Sequence, residues 1–327
     1  MQDDQRLIGL QSWLRDGLGI AFDEIAPASG DASFRRYFRI QHGDESLIVM
    51  DAPPEKEDCV PFINIAAAMT KMGLNVPRVL QQNLEQGYLL LSDLGTVQYL
   101  EVLNEDSVDR LYGDALDALL LLQMAKEDQH LLPPYDHALL MREMELVREW
   151  YLEQHLGLTL NTAQHQLLNG AFELLAQSAL TQPYTWVHRD YHSRNLMALD
   201  SDNPGVLDFQ DAVFGPVTYD LVSLLKDCYI EWPREQVLMW VSRHYQQLIK
   251  QNIISDVDQS TFIKWFDLMG VQRHLKVLGI FARLNIRDNK PGYLKDIPRT
   301  LSYVRGVCER YPELANLGML MSSVDCD

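Results

Sequence analysis

Segment 186–212, WVHRDYHSRNLMALDSDNPGVLDFQDA, concentrates acidic, amide and basic side chains in a half of the chain with otherwise helical periodicity. Asp190 offers a carboxylate that can accept the proton of a hydroxyl group. Asn195 and Asp208 offer amide and carboxylate oxygens, which are the ligands that Mg²⁺ prefers. Transfer of a phosphoryl group to a hydroxyl needs both an orienting base and a metal beside the phosphates. We therefore predict Asp190 as the catalytic base and Asn195 and Asp208 as metal ligands.

A short hairpin is predicted to bring the two metal ligands together. Strand candidates cover 195–198 and 205–209, and the turn SDNPG lies between them. Asn195 opens the first strand and Asp208 lies near the end of the second. Pairing of the strands therefore places the two side chains close to each other, although thirteen positions separate them in the sequence.

Periodicity divides the chain into a mixed N-terminal part and a helical remainder. The elements predicted in the first part are a helix at 5–17, strands at 34–41 and 46–52, a helix at 59–72, and strands at 77–82 and 87–92. Later helices are predicted at 106–126, 136–156, 161–180, 219–230, 233–251, 259–287 and 294–310. We predict an α+β fold with a small β-rich N-terminal lobe, 1–94, and a larger, mainly helical lobe, 95–327.

The motifs HRDYHSRN at 188–195 and LDFQD at 207–211 resemble those of the aminoglycoside phosphotransferase and choline kinase family. The histidine two positions after the aspartate, His192, is typical of the members that act on small molecules. The resemblance implies a bilobal protein-kinase-like fold with the active site in the cleft, and ATP and Mg²⁺ as nucleotide and metal. It also implies structural, supporting roles for His188, His192 and Asp220.

Two further segments correspond to nucleotide-binding parts of that family. SGDASFRRYFRI at 29–40 lies where the family has its phosphate-covering hairpin, and YLLLSDLG at 88–95 resembles the hinge between the lobes. The resemblance implies that backbone groups of the hinge meet adenine. The nucleotide-binding residues that we predict are Arg35, Arg36, Leu91, Ser92, Asp93 and Leu94.

One feature of the family is missing. In the family a strand lysine holds the α- and β-phosphates and pairs with a helix glutamate. Here Met50 lies near the lysine position, and helix 59–72 contains no glutamate. Arg35, Arg36 and Lys56 are nearby cations that can replace the lysine, and the alternative for each is a solvated surface charge. Our hypothesis is that at least one of the two arginines contacts phosphate.

Several segments, among them DASFRRYFR, NVPRVL and LMGVQRHLKVLGIFARL, resemble more narrowly a group of bacterial anomeric sugar kinases of cell-wall recycling. This resemblance implies an amino-sugar acceptor, phosphorylated at the C1 hydroxyl of N-acetylmuramate or N-acetylglucosamine. Two alternatives stay open. One is another acceptor, such as choline, homoserine, a ketosamine or an aminoglycoside. The other, motivated by the missing lysine, is a nucleotide-binding regulator without catalysis.

A basic stripe follows the predicted helix 259–287. At about 100° per residue, one arc of this helix holds Arg273, Lys276, Arg283 and Arg287, and apolar side chains fill the opposite arc. The functional interpretation is a wall of the acceptor site that suits a carboxylate. The alternative is a solvated face paired with surrounding acids. The acceptor contacts that we predict are Gln210, Asp211, Arg273 and Lys276.

Composition and charge argue against several other classes of protein. The chain carries a net charge of −18, which disfavours binding to nucleic acid or to an anionic membrane surface. Its four cysteines show no paired spacing, so we predict neither a zinc site nor a disulfide framework. The N-terminus does not resemble a signal peptide, and no apolar run is long enough to span a bilayer. We expect a cytoplasmic protein whose partner is a small molecule, and no pattern indicates an oligomeric state.

Overall fold

The computed structural model describes residues 4–30, 34–126 and 128–323. It divides into two compact units, each built from two stretches of chain. The first comprises the described residues of Met1–Val102 together with Asn195–Asp211. The second comprises those of Leu103–Arg194 and Ala212–Asp327. Segment 186–212 therefore contributes residues to both units.

The first third of the chain contains both strands and helices, and helices dominate the remainder. The strands are β1 (Ile25–Gly30), β2 (Arg36–His42), β3 (Glu45–Asp51), β4 (Val79–Asn83), β5 (Tyr88–Ser92), β6 (Tyr184–Val187), β7 (Leu196–Met197), β8 (Gly205–Val206) and β9 (Val213–Pro216). The α-helices are α1 (Gln5–Ser12), α2 (Cys59–Lys71), α3 (Tyr99–Val102), α4 (Val108–Met124), α5 (His137–Leu146), α6 (Thr162–Leu180), α7 (Tyr219–Leu225), α8 (Arg234–Lys250), α9 (Gln259–Ile286), α10 (Ile297–Cys308) and α11 (Ala315–Ser322). Short 3₁₀ turns lie at Gln129–Leu131, Pro291–Asp296 and Pro312–Leu314.

An antiparallel sheet of five strands, in the order β1-β2-β3-β5-β4, forms the centre of the first unit. In its middle, Met50 of β3 pairs with Tyr37 of β2 and Leu89 of β5. The hairpin from β2 to β3 turns at Gly43, whose φ of 61° lies in the left-handed region that glycine adopts without strain.

Helix α1 covers one face of this sheet, and a π-helical turn at Trp13–Gly17 continues it. Its N-terminus is capped by Asp4, which accepts the Leu7 N–H. The apolar core between helix and sheet comprises Leu10, Leu14, Phe22, Phe38, Ile40, Leu47, Val49, Tyr88 and Leu90. Side chains alternate along a strand, so Val49 on this face places Met50 on the opposite one.

The short hairpin of β7 and β8 belongs to the first unit. The Val206 N–H donates to the Asn75 carbonyl, and the Ala198 N–H donates to the Val97 carbonyl, each at 2.8 Å. These backbone bonds attach the segment after Arg194 to the same unit as the five-stranded sheet.

Helix α9, 28 residues long, is the central element of the second unit. Residues 266–279 of α9 are all buried, and helices α5, α6, α7, α8 and α10 pack around it. Gly279 permits the close approach of α5, because a Cβ atom there would lie 2.3 Å from the Leu146 carbonyl oxygen. The second half of the predicted helix 136–156 is π-helical, from Val147 to His155.

A two-stranded antiparallel sheet of β6 and β9 flanks segment 188–212, which contains the predicted base Asp190. Trp186 pairs with Phe214 and Val187 pairs with Val213. Trp186 is fully buried, so the end of β6 is fixed where the loop begins at His188.

Most predicted elements are confirmed. The strands predicted at 34–41, 46–52, 77–82 and 87–92 correspond to β2, β3, β4 and β5, and the predicted long helices correspond to α4 through α10. The prediction missed β1, β6, β9, α3 and α11. The α+β class, with one strand-rich part and one mainly helical part, is also confirmed.

Two further observations concern helix hydropathy and the cysteines. Within the described ranges, no helix is long and apolar enough to cross a membrane. Cys59, Cys228 and Cys308 are buried free thiols, and Cys326 lies outside the described residues.

Candidate active site

The predicted catalytic loop, 188–194, lies in the second unit and contains an unusual backbone turn. Arg189 has a φ of 76°, in the left-handed region that residues other than glycine seldom adopt. Such a conformation costs about 1–3 kcal/mol and persists only where surrounding contacts fix it. Asp220 of α7 supplies such contacts, since its carboxylate accepts the His188 N–H at 2.6 Å and the Arg189 N–H at 3.0 Å. Asp220 therefore stabilises the backbone of the loop.

His188 and Asp220, which both contact the backbone of the loop, are buried. Burial raises the pKa of Asp220 to about 7, although its two N–H donors act in the opposite direction. The Nδ1 atom of His188 accepts the Asp190 N–H at 3.3 Å, so this ring nitrogen carries no proton. His188 and Asp220 therefore hold the backbone on which the Asp190 side chain is mounted.

The carboxylate of Asp190 is accessible from outside the loop, since 43% of its side chain is exposed. Partial desolvation acts to raise the pKa of Asp190, but the charges of Lys276 and Arg273 outweigh it and lower the pKa to about 2. Arg273 Nη2 lies 3.9 Å from Asp190 Oδ1. Asp190 is therefore an ionised hydrogen-bond acceptor at neutral pH, which suits it to orient a hydroxyl group.

Glu143 of α5 is a charged residue of this region that the sequence analysis missed. Its buried carboxylate accepts hydrogen bonds from Arg189 and the Tyr135 hydroxyl, and from Lys276 Nζ at 2.9 Å and Gln272 Nε2 at 3.4 Å. Burial acts to raise the pKa of Glu143, but the charges of Lys276 and Arg189 outweigh it and lower the pKa. Glu143 thus ties the catalytic loop to α9.

The basic stripe on α9 is divided between the interior and the surface. Arg273 is only 3% exposed and Lys276 is buried beside Glu143, so the alternative of a solvated face is wrong for these two residues. Arg273 Nη1 contacts the Cys228 sulfur at 3.7 Å, and its Nε has no hydrogen-bond partner within the part of the chain that the structure describes. Arg287, in contrast, is exposed. Only the first two cations of the stripe lie near Asp190.

The end of the catalytic loop is anchored to the segment after α7. The Ser193 N–H and hydroxyl donate to Asp227 Oδ2 at 3.0 and 2.5 Å. The His192 ring meets the Tyr229 ring edge-on at 5.4 Å, and burial lowers the pKa of His192. The Arg194 guanidinium lies 4.6 Å from the centre of the Tyr229 ring. His192 is therefore a packed, neutral side chain at neutral pH.

The two predicted metal ligands are adjacent in the first unit. Asn195 Nδ2 lies 3.2 Å from Asp208 Oδ2, and the Leu207 N–H donates to the Asn195 carbonyl at 2.9 Å. Asp208 has a φ of 63°, a left-handed conformation that aspartate tolerates better than most residues. The hairpin therefore brings the amide and the carboxylate together in the way that the sequence predicts.

This pair of oxygen donors fits Mg²⁺ bound together with a nucleotide. Mg²⁺ in kinase sites is held by one or two protein oxygens and completes its octahedral shell with phosphate oxygens and water. The amide of Asn195 and the carboxylate of Asp208 can each provide one such oxygen. Among the described residues, no cluster of three His, Cys, Asp or Glu side chains could hold a metal by itself.

Two predicted acceptor contacts, Gln210 and Asp211, lie beside the predicted metal ligand Asp208. Gln210 Nε2 donates to Asp208 Oδ1 at 2.8 Å and lies 3.4 Å from Asp211 Oδ2. Gln210 therefore holds one oxygen of the Asp208 carboxylate, while Asp211 is exposed.

The predicted nucleotide-binding arginines, Arg35 and Arg36, have different partners. Arg36 forms ion pairs with Asp4 and Asp51, on the face of the sheet that α1 covers. Arg35 forms an ion pair with Glu57 at 2.9 Å, in the loop before α2. The two neighbouring side chains therefore point away from each other.

The predicted hinge comprises the end of β5 and the residues after it, and its own side chains hold it in place. The Asp93 carboxylate accepts bonds from Arg39 Nε at 2.6 Å and from the Ser46 hydroxyl at 2.5 Å. Ser92 Oγ accepts the Arg78 N–H at 2.9 Å. Leu91 is buried in β5, and the Leu94 side chain lies next to Gly205 of β8. These contacts fix the backbone from Leu91 to Leu94.

The chain is similar to known proteins in both sequence and fold. The model of the phosphotransferase enzyme family matches residues 24–249. The chain is 48% identical to a protein of Pseudomonas aeruginosa named N-acetylmuramate/N-acetylglucosamine kinase, over 99% of this chain and 98% of that protein. It also resembles the solved structure of a GDP complex of aminoglycoside 2′-phosphotransferase-IIIa, with a TM-score of 0.64 and 14% identity over 91% of this chain and 98% of the other. A choline kinase of Streptococcus pneumoniae has a TM-score of 0.63 and 12% identity, over 92% of this chain and its own full length. At such identities the two structures show a shared fold.

Proposed function

Because this chain belongs to the phosphotransferase enzyme family, we propose that it transfers the γ-phosphoryl group of ATP to N-acetylmuramate and N-acetylglucosamine. The family and the protein-kinase-like fold agree with those predicted from the motifs around Asp190 and Asp208. The observation that carries the proposal is the 48% identity, over almost the whole of both chains, to a kinase named for these two sugars. The accepting group in the proposal is the C1 hydroxyl, which the narrower resemblance of the sequence implies.

Asp190 is the catalytic residue in this proposal, and it orients the acceptor hydroxyl for attack on the γ-phosphorus. A carboxylate with a pKa near 2 is a weak base, so it cannot remove the proton before the reaction begins. Phosphoryl transfer passes through a loose transition state, in which the bond to the nucleophile is only partly formed. The proton therefore moves to Asp190 late, once phosphorylation has made the hydroxyl acidic.

Asn195 and Asp208 hold Mg²⁺ in this proposal. When bound, Mg²⁺ supplies positive charge beside the phosphate oxygens and offsets the negative charge that they carry. Gln210 acts on Asp208 rather than on the metal, since its amide donates to one oxygen of that carboxylate. The second oxygen of that carboxylate accepts from Asn195 Nδ2, so the Asn195 amide would have to turn its oxygen outwards for both side chains to hold the ion.

The nucleotide contacts are assigned to the hinge and to the arginine-bearing hairpin. The backbone of 91–94 meets adenine, and its rigidity is supported by the bonds that Asp93 and Ser92 accept. Of the two arginines, Arg35 is assigned to phosphate, because the ion pairs of Arg36 lie on the face of the sheet that α1 covers.

Arg273 and Lys276 provide the positive charge of the acceptor site. N-acetylmuramate carries a carboxylate and N-acetylglucosamine does not, so a cation near Asp190 acts on the two sugars differently. Arg273 has a guanidinium nitrogen without a hydrogen-bond partner among the described residues, whereas Lys276 is held by Glu143. We assign recognition of the carboxylate to Arg273 and place Gln210 and Asp211 near the sugar. In addition, we propose a cytoplasmic location, which the buried free thiols support.

The test is an ADP-release assay with Mg-ATP and a panel of acceptors: N-acetylmuramate, N-acetylglucosamine, glucose, choline and kanamycin. We expect turnover on the two amino sugars that is lost in Asp190→Asn. Activity on choline or kanamycin instead would keep the kinase chemistry and refute the acceptor. Nucleotide binding without turnover on any acceptor would favour the non-catalytic regulator.

A further inference from the structure

The position of the family's strand lysine holds no cation in this chain. Met50 lies near that position, fully buried in the middle of the sheet and on the face opposite α1. The helix that would supply the partner glutamate, Cys59–Lys71, has none in its sequence. A pair of opposite charges for the phosphates must therefore come from other positions.

Arg36 is already engaged away from that face. Its guanidinium binds Asp51 and Asp4, and Asp51 is fully buried and also accepts a bond from Arg6 Nε of α1 at 2.8 Å. This cluster joins α1 to β2 and β3. Its two arginines are balanced by two carboxylates, so Arg36 serves to attach α1 to the sheet.

Arg35 points in the other direction and forms an ion pair with Glu57. Arg35 Nη2 lies 2.9 Å from Glu57 Oε2, and only 11% and 13% of the two side chains are exposed. Glu57 immediately precedes Asp58, which caps α2. The pair therefore links the hairpin of β1 and β2 to the start of α2.

Glu57 also holds the backbone next to Arg35. The Phe34 N–H donates to Glu57 Oε1 at 3.2 Å, so each carboxylate oxygen has its own donor. On the neighbouring residue, Lys56 Nζ lies 4.4 Å from the centre of the Phe34 ring. Residues 34–35 and 56–57 are thus joined by three contacts, which fix the direction of the Arg35 side chain.

We propose that Arg35 and Glu57 replace the strand lysine and the helix glutamate of the family. Arg35 binds the α- and β-phosphates of the nucleotide, and Glu57 is a positioning residue that holds it. Kinases of this fold need such a cation–carboxylate pair in place for activity. The planar guanidinium of arginine suits this role, because it can bond a carboxylate on one edge and phosphate on another. The inference rests on the proposed use of a nucleotide and names the residue that holds its phosphates.

The experiment is calorimetric titration of Mg-ADP and of adenosine into the full chain. The variants are Arg35→Gln, Arg35→Lys and Glu57→Gln. Loss of a charged hydrogen bond predicts that Arg35→Gln raises the Kd for Mg-ADP at least about tenfold. The Kd for adenosine, which has no phosphate, stays unchanged. Arg35→Lys recovers part of the affinity, and Glu57→Gln weakens Mg-ADP binding by less than Arg35→Gln.

Arg6→Gln is the matched control. Arg6 is also an ion-paired arginine of the first unit, but its partner Asp51 lies on the face that α1 covers. We expect this variant to lower the melting temperature and leave the Kd for Mg-ADP unchanged. If Arg36→Gln rather than Arg35→Gln weakens Mg-ADP binding, the assignment to Arg35 is wrong.

Failure of the inference and failure of the proposed function give different results. If the wild type binds Mg-ADP and Arg35→Gln binds it equally well, the inference is overturned and the proposed function stands. If Arg35→Gln weakens the binding of adenosine and of Mg-ADP alike, the arginine acts on the fold and not on phosphate. A Glu57→Gln variant that binds Mg-ADP more tightly than the wild type would overturn the role of Glu57. A wild type that binds neither ligand would overturn the proposed function itself.

Discussion

Replacement of Glu143 by glutamine tests whether the buried charges beneath the catalytic loop act as one unit. Glu143 accepts bonds from the Arg189 guanidinium and from Lys276 Nζ, and all three groups lie in the second unit. Glu143→Gln keeps the size of the side chain and removes the charge that both cations face. Removing one partner of a buried ion pair costs about 3–5 kcal/mol, because the remaining charge stays desolvated.

The expected change in melting temperature follows from the size of the chain. An unfolding entropy of about 2.1 cal/mol/K per residue gives roughly 0.7 kcal/mol/K for a chain of this length. A loss of about 3–5 kcal/mol therefore lowers the melting temperature by roughly 4–7 °C. Circular dichroism or scanning calorimetry near neutral pH measures this shift.

The matched control is Glu173→Gln, which removes the charge of an exposed glutamate paired with His137. Exposed ion pairs contribute little to stability, so the melting temperature of this variant should stay close to that of the wild type. The double variant Glu143→Gln/Lys276→Met should recover part of the loss, because it no longer leaves Lys276 unpaired. A shift for Glu143→Gln no larger than that for Glu173→Gln would refute the account of these charges.

The pH dependence of the Glu143 effect has a defined sign. The pKa of Glu143 is lowered from its ordinary value of 4.5, so the unfolded chain binds its proton more readily than the folded chain. The stabilisation by ionised Glu143 is therefore complete above about pH 4.5 and is lost as the pH falls through the lower, folded pKa. The difference between wild type and Glu143→Gln should shrink accordingly in acid.

Three further predictions concern the loop and the metal pair. Asp190→Asn should lower kcat by about 10²–10⁴-fold, while the Kd for Mg-ADP measured by calorimetry stays unchanged. Because the pKa of Asp190 is about 2, its titration should not appear near neutral pH when kcat/KM of the wild type is measured against pH. Asp208→Asn should raise the Mg²⁺ concentration for half-maximal activity at least about tenfold, and an unchanged Mg²⁺ titration would exclude Asp208 as a ligand. The pKa of Asp220 is raised from 3.8 to about 7, so the folded chain binds this proton more tightly and the Asp220 contribution to stability falls as pH rises between these values. The melting temperature of Asp220→Asn should therefore rise relative to that of the wild type from pH 4 to pH 7. A difference between the two melting temperatures that does not change with pH would contradict the raised pKa.

Local spacing predicts the parts of the molecule that depend on near neighbours in the sequence. Asn195 and Asp208 are joined by a hairpin whose turn is evident in SDNPG, and their side chains indeed lie 3.2 Å apart. Strong periodicity likewise identified the long helices. The roles of these residues in the reaction remain predictions, as does the lobe boundary at residue 94.

Local spacing does not predict contacts between segments that are distant in the sequence. The wheel of 271–287 places Arg273 and Lys276 on a basic arc, but their burial depends on α5, more than a hundred residues earlier in the chain. Glu143 has a usable signal, because it lies three positions after Leu140 and four before Val147, on the buried side of its helix. A carboxylate at such a position needs cationic partners, and the arc on α9 supplies one of them.

The missed strands have physical explanations too. β1, with the sequence IAPASG, contains proline and glycine and lacks the apolar alternation that indicates a strand. β6 and β9 are each four residues long and pair across nearly thirty residues, so neither has a local partner that a turn would indicate. The strand predicted at 34–41 includes both Arg35 and Arg36, and side-chain alternation along it implies that they point to opposite faces.

The most direct test of the proposed activity is phosphate transfer to a free reducing-end sugar and to its blocked analogue. The assay measures ADP release from Mg-ATP with N-acetylglucosamine, N-acetylmuramate and the methyl glycoside of N-acetylglucosamine, whose C1 oxygen carries no proton. We predict turnover on both free sugars and none on the methyl glycoside, with the phosphate at C1 by ³¹P NMR of the product. Equal turnover on the methyl glycoside would contradict the C1 assignment, and no turnover on either free sugar would contradict the proposed function.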